Sequence, residues 1–435
     1  MQIRLAIVIA KVIKTILTIF KKRGGSLPGK IALKVCPNAL STITYPKRIV
    51  LVTGTNGKTT TTNMIDKVVR EHYSKVISNV QGDNLIAGIS TLILTNATMR
   101  LSINAEIMVI EVDEITVSRV MKEIPVTHFI VNNLFRDQLD RAGEMETIIQ
   151  KLSDSLKEFT GELIINGDDP NVARLGYQKN RVSYFSVGKQ TSSLSKSNEA
   201  SEGRYCFVCN HELRYEYYQY SHIGAFHCPQ CHFGENEKIQ AVDIKEDFSE
   251  FYVENERYVS PYNTIYAIYN CMAVIALSKL LGISKDQINR VFEEFEMNDG
   301  RMESFFIERE CLLNLIKNPT GANEVIKYIA MQKETKDIWL VLNDNGQDGR
   351  DVSWIYDVDF ERLLGDDIAN VVCSGTRAYD MALCIKYHHY EGNLVAFEDE
   401  DKALEYYKTL PNKGYILVTY TALQATRKRI MRAVK

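Results

Sequence analysis

The stretch from Arg48 to Val69, RIVLVTGTNGKTTTTNMIDKVV, restricts the fold of this chain more than any other. Ile49 to Val52 make a short aliphatic run, the composition of a strand buried on both faces of a parallel sheet. Met64, Ile65, Val68 and Val69 then recur at helical spacing. Between the two lie Gly54, Thr55, Asn56 and Gly57, followed directly by Lys58, Thr59 and Thr60. Glycines let backbone N–H groups come close to phosphate oxygens, and a lysine adds positive charge. A hydroxyl such as that of Thr59 suits Mg²⁺, and the helix beginning there turns its free N–H groups toward the anion. A bare turn between strand and helix needs the glycines but neither the lysine nor the threonines. The stretch predicts a phosphate-binding loop formed by residues 54–60, and with it a nucleotide site.

Further apolar runs end in polar clusters. Ile107 to Val112 closes on Glu111, Asp113 and Glu114, carboxylates placed to ligate Mg²⁺ or position water. His128 to Val131 runs into Asn132-Asn-Leu-Phe-Arg-Asp-Gln-Leu-Asp140, and Glu162 to Ile165 into Asn166-Gly-Asp-Asp-Pro170. Strands alternating with helical patterns predict a parallel α/β sheet with its ligand at the strands' carboxyl ends. After an apolar helix over Tyr262 to Leu281, strands recur at Cys311 to Ile316, Ile338 to Leu342, Ile368 to Cys373 and Tyr415 to Val418. They predict a second, smaller α/β domain, as a length of 435 residues already suggests.

A serine-rich linker at 189–204 precedes Cys206-Phe-Val-Cys209 and, eighteen residues on, Cys228-Pro-Gln-Cys231. Two such knuckles predict a tetrahedral Zn²⁺ site, structural because four thiolates leave no open position. The alternatives are a redox dithiol or unrelated thiols. His211, His227 and His232 read as surface residues, and without a dense basic patch no nucleic-acid partner is expected.

The first 65 residues contain eleven Lys or Arg and no Asp or Glu, whereas the whole chain has a net charge of −3, so a basic arm precedes an acidic body. Lys11 and Lys14 interrupt the first apolar run too early for a spanning helix or a signal peptide, which predicts a cytoplasmic protein. Ile7, Ala10, Ile13, Leu17 and Phe20 share a helical face, either for a membrane interface or for packing on the protein's own domain.

GTNGKTT at 54–60, VIEVDE at 109–114, NNLFRDQLD at 132–140, NGDDP at 166–170, IYNCMAV at 268–274 and GRME at 300–303 resemble, in this order, the motifs of the Mur ligase family. LPGKIALK at 27–34, the four-cysteine insertion, LIKNPTG at 315–321 and LNDNGQDGRDVSWIYDVDFE at 342–361 resemble one branch of it, the ligase-like subunits of lipid II isoglutaminyl synthases. The resemblance implies a basic N-terminal helical arm (1–46), a Mur ligase central ATP-binding domain (47–303) with a zinc-ribbon insertion (204–235), and a C-terminal Rossmann-like domain (304–435). It implies ATP-dependent amidation of the D-glutamate α-carboxylate in the lipid II stem peptide, in a heterodimer with a GatD-like glutamine amidotransferase, at the inner face of the plasma membrane. Lys58, Thr59 and Glu111 would serve ATP and Mg²⁺, Asn270 adenine, and Arg301 the nucleotide. Asp351 would complete the partner's Cys-His-Asp triad, although the residues alone do not separate it from Asp344 or Asp348. Two departures stand out: Asn314 and Lys317 replace the family's usual aspartate and histidine, and Ala267 replaces an asparagine. The competing readings are a stand-alone amino-acid ligase and a nucleotide-binding zinc-ribbon protein without ligase activity.

Overall fold

The computed structural model describes residues 2–20, 25–80, 83–135, 145–197, 203–296, 303–345 and 348–433. They fall into two compact units, one containing the described residues up to Phe295 and the other those from Glu296 onward.

The first unit is built on seven strands: β1 (Arg48–Thr53), β2 (Val76–Ser78), β3 (Ile107–Glu111), β4 (His128–Val131), β5 (Glu162–Asn166), β6 (Val182–Val187) and, after a hairpin of β7 (Arg214–Tyr220) and β8 (Ile223–His227), β9 (Lys238–Ala241). Their order is β2-β3-β1-β4-β5-β6-β9, and every neighbouring pair is parallel; a separate antiparallel hairpin of β10 (Glu250–Val253) and β11 (Glu256–Val259) follows β9. Strand β1 is central, with Val52 opposite Glu111 of β3 and Thr53 opposite Val131 of β4. From β1 the chain first builds one side of the sheet and then the other. The loop after β1 therefore sits where the strand order reverses, the place such sheets bind ligands. The helix Ile265–Leu281 packs on β5, β6 and β9, starts at the Thr264 cap, and stops at Gly282 in the left-handed conformation (φ 72°).

The N-terminal helices α1 (Gln2–Ile19) and α2 (Leu27–Val35) belong to this unit and pack on each other and on α4 (Ile86–Asn96), which follows α3 (Lys58–Arg70). The backbones of α2 and α4 meet at Gly29, whose N–H donates to Thr91 Oγ1 at 2.8 Å; a Cβ there would lie 2.0 Å from the Ala87 carbonyl oxygen. On α1, Ile7 and Ala10 are buried and Ile13 and Leu17 half-buried, so the face expected from the sequence is a packing face; Phe20 is exposed.

The second unit has six strands, β12 (Glu303–Phe306), β13 (Glu310–Leu315), β14 (Lys336–Val341), β15 (Ile368–Ser374), β16 (Asn393–Phe397) and β17 (Lys413–Val418), in the order β12-β13-β17-β14-β15-β16. Only β12 is antiparallel to its neighbour. Apolar cores cover both faces, one centred on Leu340, Phe360 and Leu417 and the other on Trp339, Tyr407 and Ile416. The Trp339 indole is fully buried and donates to Ser374 Oγ at 2.8 Å. Trp339→Ala is expected to destabilise this unit by about 3–5 kcal/mol. The chain has only two tryptophans, so fluorescence of Trp354 during urea unfolding reports the shift from this unit alone.

Candidate active site

Residues 54–57 turn from β1 into α3 with Gly54 at φ 138° and Gly57 at φ 79°, conformations that side chains other than glycine strongly disfavour. A Cβ on Gly57 would lie 2.3 Å from Asn270 Oδ1, and one on Gly54 3.0 Å from Asn132 Cβ. The exit of β4 braces the loop: Thr55 N–H donates to the Asn133 carbonyl (2.9 Å), Asn56 N–H to Asn133 Oδ1 (2.8 Å), and Phe135 N–H to Thr55 Oγ1 (3.0 Å). Thr61 Oγ1 accepts from Asn132 Nδ2 (2.8 Å) and donates to Asn270 Oδ1 (3.2 Å). The preceding residue, Thr60, is buried within the first turn of α3. Asn270 thus lies directly under the loop, filling the space that the absent Gly57 side chain leaves.

Lys58 is buried at the start of α3. Its Nζ donates to the Gly54 carbonyl and pairs with Glu114 at 3.0 Å. Burial alone would lower its pKa, but Glu114, Asp113 and Glu111 together outweigh it and the net displacement is upward. A raised lysine pKa means that the stabilisation of the charged form is complete below the ordinary lysine range and is lost only as pH rises beyond it. Lys58 is accordingly an ammonium across roughly pH 6–9.

Thr59 Oγ1 donates to Glu111 Oε1 at 3.1 Å, and Asn84 Nδ2 donates to the same oxygen at 3.0 Å. The backbone of Glu111 is clamped by Asn79 in both directions, N–H to Oδ1 at 2.7 Å and Nδ2 to carbonyl at 2.9 Å. A buried carboxylate touching a threonine hydroxyl beside the phosphate loop is a hard, all-oxygen donor set that fits Mg²⁺. Glu114 belongs to the strand-exit acids and Asn132 and Asn133 to the strand-exit polar cluster that the sequence marks, whereas Asn79 and Asn84 are contributors it did not single out. Asn79 and Asn84 carried no signal, because only the sheet order brings their loop beside Glu111.

The NGDDP turn serves as a structural hub. Asp169 caps the short helix Pro170–Ala173 and accepts from Leu134 N–H at 2.8 Å. Asp168 accepts from Val187 N–H and the Tyr269 hydroxyl, both at 2.8 Å, and pairs with Lys238 at 3.3 Å. Burial, reinforced by Asp168, raises the Tyr269 pKa well above its ordinary value.

The four cysteine sulfurs converge within 4.8 Å of one another. The two closest pairs, Cys206–Cys231 and Cys209–Cys228, are 3.4 Å apart, too far for disulfides and near the edge of roughly 3.8 Å of a tetrahedron with 2.3 Å Zn–S bonds. The knuckles match each other: Asn210 and His232 both adopt positive φ and return N–H bonds to the carbonyls of Cys206 and Cys228. His232 is exposed and bonds Glu235, and no histidine joins the sulfur cluster among the described residues. The hairpin is seated on the main sheet through Tyr217 and Gln219, which donate to the Val187 carbonyl at 3.0 and 3.1 Å.

In the second unit the loop after β14 separates its three aspartates. Asp348 is buried and accepts from the backbone N–H (2.7 Å) and hydroxyl of Thr421; burial raises its pKa in spite of these bonds. Asp344 accepts from the Thr376 hydroxyl at 2.8 Å and lies 3.3 Å from Arg377. Asp351 is exposed, and its Oδ1 accepts from Ser353 N–H at 2.9 Å, which fixes the direction of its carboxylate. In KNPTG, Asn318 caps the helix Pro319–Ala330 by accepting from Gly321 N–H at 2.8 Å. Arg301 lies outside the described residues.

A parallel sheet with a phosphate loop at its switch point, joined to a second α/β unit, is the architecture of the Mur-type ligases. The model of the Mur ligase middle domain matches residues 52–228, and that of the MurT ligase C-terminal domain matches residues 315–423. Among solved structures, a pseudomurein peptide ligase type C from Methanothermus fervidus has this fold (TM-score 0.69, 19% identity, 91% of this chain and 81% of that one). So does a MurF ligase from Thermotoga maritima in complex with ADP (TM-score 0.59, 15% identity, 94% and 83%). The chain is 33% identical over 98% of both lengths to a protein of Staphylococcus aureus strain N315 named lipid II isoglutaminyl synthase (glutamine-hydrolyzing) subunit MurT. It is also 33% identical to the Streptococcus pneumoniae R6 protein of the same name, over 93% of this chain and 92% of that one. The chain belongs to the MurT family.

Gly57→Ala is expected to weaken ATP binding at least ~10-fold in calorimetry, because the new Cβ meets Asn270 in a left-handed turn, while zinc content is unchanged. Cys228→Ser is expected to lower zinc from one ion per chain to below ~0.1 by elemental analysis, since three thiolates and a hydroxyl make a poor structural zinc site.

Proposed function

We propose that this chain is the ligase subunit of a glutamine-dependent enzyme that amidates lipid II. ATP transfers its γ-phosphoryl group to the α-carboxylate of D-glutamate in the stem peptide. Ammonia then attacks the resulting acyl phosphate, forming the C–N bond of D-isoglutamine and releasing phosphate. The observation that carries this reading is the match to MurT subunits along the full length of both chains, including the C-terminal domain.

The site residues take roles that suit this chemistry. Backbone N–H groups at 54–60 cradle the phosphates, and Lys58 neutralises charge on the transferring group. Thr59 and Glu111 would hold Mg²⁺, which supplies charge neutralisation at the phosphates. Asn270 supports the loop from below and, by family likeness, Asn270 and Arg301 contact the nucleotide. The zinc knuckles have a structural task.

Ammonia comes from a GatD-like glutaminase docked on the C-terminal domain. Asp351 is offered to its histidine, fixing the imidazole tautomer and stabilising its charged form. Exposure favours Asp351 for this role, because its carboxylate is exposed where Asp344 is half-buried and Asp348 is buried against Thr421. The lipid-linked substrate makes the complex a peripheral protein at the inner face of the plasma membrane.

The test is phosphate release and stem-peptide mass with lipid II and ATP, supplied with ammonium or with glutamine, with and without the glutaminase. Product from glutamine is expected only with the partner. Asp351→Asn is expected to cut glutamine-dependent turnover by at least ~10²-fold while ammonium-dependent turnover stays near that of the unaltered chain. An added amino acid in the product would instead identify a stand-alone ligase, and absence of phosphate release would point to a binding protein.

A further inference from the structure

Helix α1 has two apolar faces, and only one of them is packed. Ala6, Ile7 and Ala10 are buried against the rest of the unit, with Ile3, Ile13 and Leu17 half-buried beside them. On the opposite side Leu5, Val8, Val12, Ile16 and Ile19 are 43–71% exposed. Their spacings of three or four residues put them in one line, about 21 Å long at 1.5 Å per residue.

The border of this line is basic. Arg4 and Lys11 fall on one flank at 100° per residue, Lys14 lies half-buried further round toward the packed face, and Lys21, Lys22 and Arg23 follow in the sequence. Thr15 and Thr18, on the same flank, donate their hydroxyls to the Lys11 and Lys14 carbonyls, both at 2.9 Å, so their hydrogen-bonding capacity is turned inward. No acidic residue occurs before Asp66. No described helix is long and apolar enough to cross a membrane. An apolar line bordered by cations and free of carboxylates is complementary to a surface with an apolar interior and anionic headgroups.

We propose that the outward face of α1 docks the protein onto an anionic phospholipid bilayer, with the helix axis lying in the plane of the interface. This deepens the functional reading above and rests on it for its biological setting. The packed face joins α1 to α2 and α4, and Gly29 locks α2 to α4. The membrane contact is thereby rigidly connected to the unit that carries the phosphate loop.

The experiment is flotation of the full-length chain with vesicles of phosphatidylcholine alone or mixed with phosphatidylglycerol, at low and high salt. The unaltered chain is expected to float with the anionic vesicles and to be released in part by salt. The double variant Val12→Glu, Ile16→Glu is expected to reduce the floating fraction at least ~10-fold. Arg4→Gln with Lys11→Gln is expected to reduce it on anionic vesicles and to remove part of its salt dependence. Unchanged zinc content and ATP binding establish that each variant is folded.

Failure of the unaltered chain to float, or flotation of the glutamate variant like the unaltered chain, would overturn the proposal. So would a solution dimer that this variant converts to monomer, since the face would then belong to a second copy. Amidation of lipid II in detergent micelles separates the two readings. If it persists without vesicle binding, the docking proposal alone falls; if vesicles bind but no amidation occurs with the partner present, the ligase reading alone falls.

Discussion

The contact between Gly57 and the Asn270 amide is the constraint on which the first unit depends. A phosphate loop needs its backbone N–H groups turned inward, which here requires a left-handed residue at 57, and the vacancy beneath that glycine must be filled. Asn270 fills it from a helix more than two hundred residues away in the chain, and the neighbouring Tyr269 bonds Asp168 at the exit of β5. One helical turn therefore ties the loop to the far half of the sheet. The buried polar groups around it, Thr61, Asn132 and Asn133, are oriented by one another, so the loop is held in shape by a network and not by local propensity.

The cysteine knuckles solve a related problem on a smaller scale. The hairpin of β7 and β8 is too small to bury a core of its own, and two-stranded ribbons are marginal in water. Four converging cysteine sulfurs close one end, stacked rings such as Tyr215 and Tyr218 (4.2 Å between centroids) stiffen the middle, and bonds to the Val187 carbonyl fasten the other end to β6. The insertion is thus a separate two-stranded sheet tethered by side chains to the central one.

What the sequence made legible follows from burial. Strands at 48, 107, 128, 162, 311, 338, 368 and 415 announce themselves because strands covered on both faces are continuous apolar runs. Strand β2 is three residues long, and β9 reads KIQA. Strand β16 lies at an edge, largely half-buried, so none of these three rises above the background. The phosphate loop and the four cysteines are local patterns and were readable as such. Asp344, Asp348 and Asp351 were not separable, because what separates them is a threonine 73 residues from Asp348 and a difference in burial. On α1 the sequence showed one apolar face where the folded helix has two, since a window of aliphatic residues does not say which side finds a neighbour.

The ion pair between Lys58 and Glu114 has a consequence of its own. The loop carries a resident competitor: its lysine already has a negative partner before any ligand arrives, so binding there is an exchange of anions. A singly charged ligand offers Lys58 little that Glu114 does not already supply. A polyphosphate, which would also engage the helix N-terminus and the loop amides, can win the exchange, and the displaced carboxylate would add its charge to that of Asp113 and Glu111, which act on Lys58 together with it. The acid that pairs with the loop lysine would thereby couple nucleotide binding to the binding of a divalent cation.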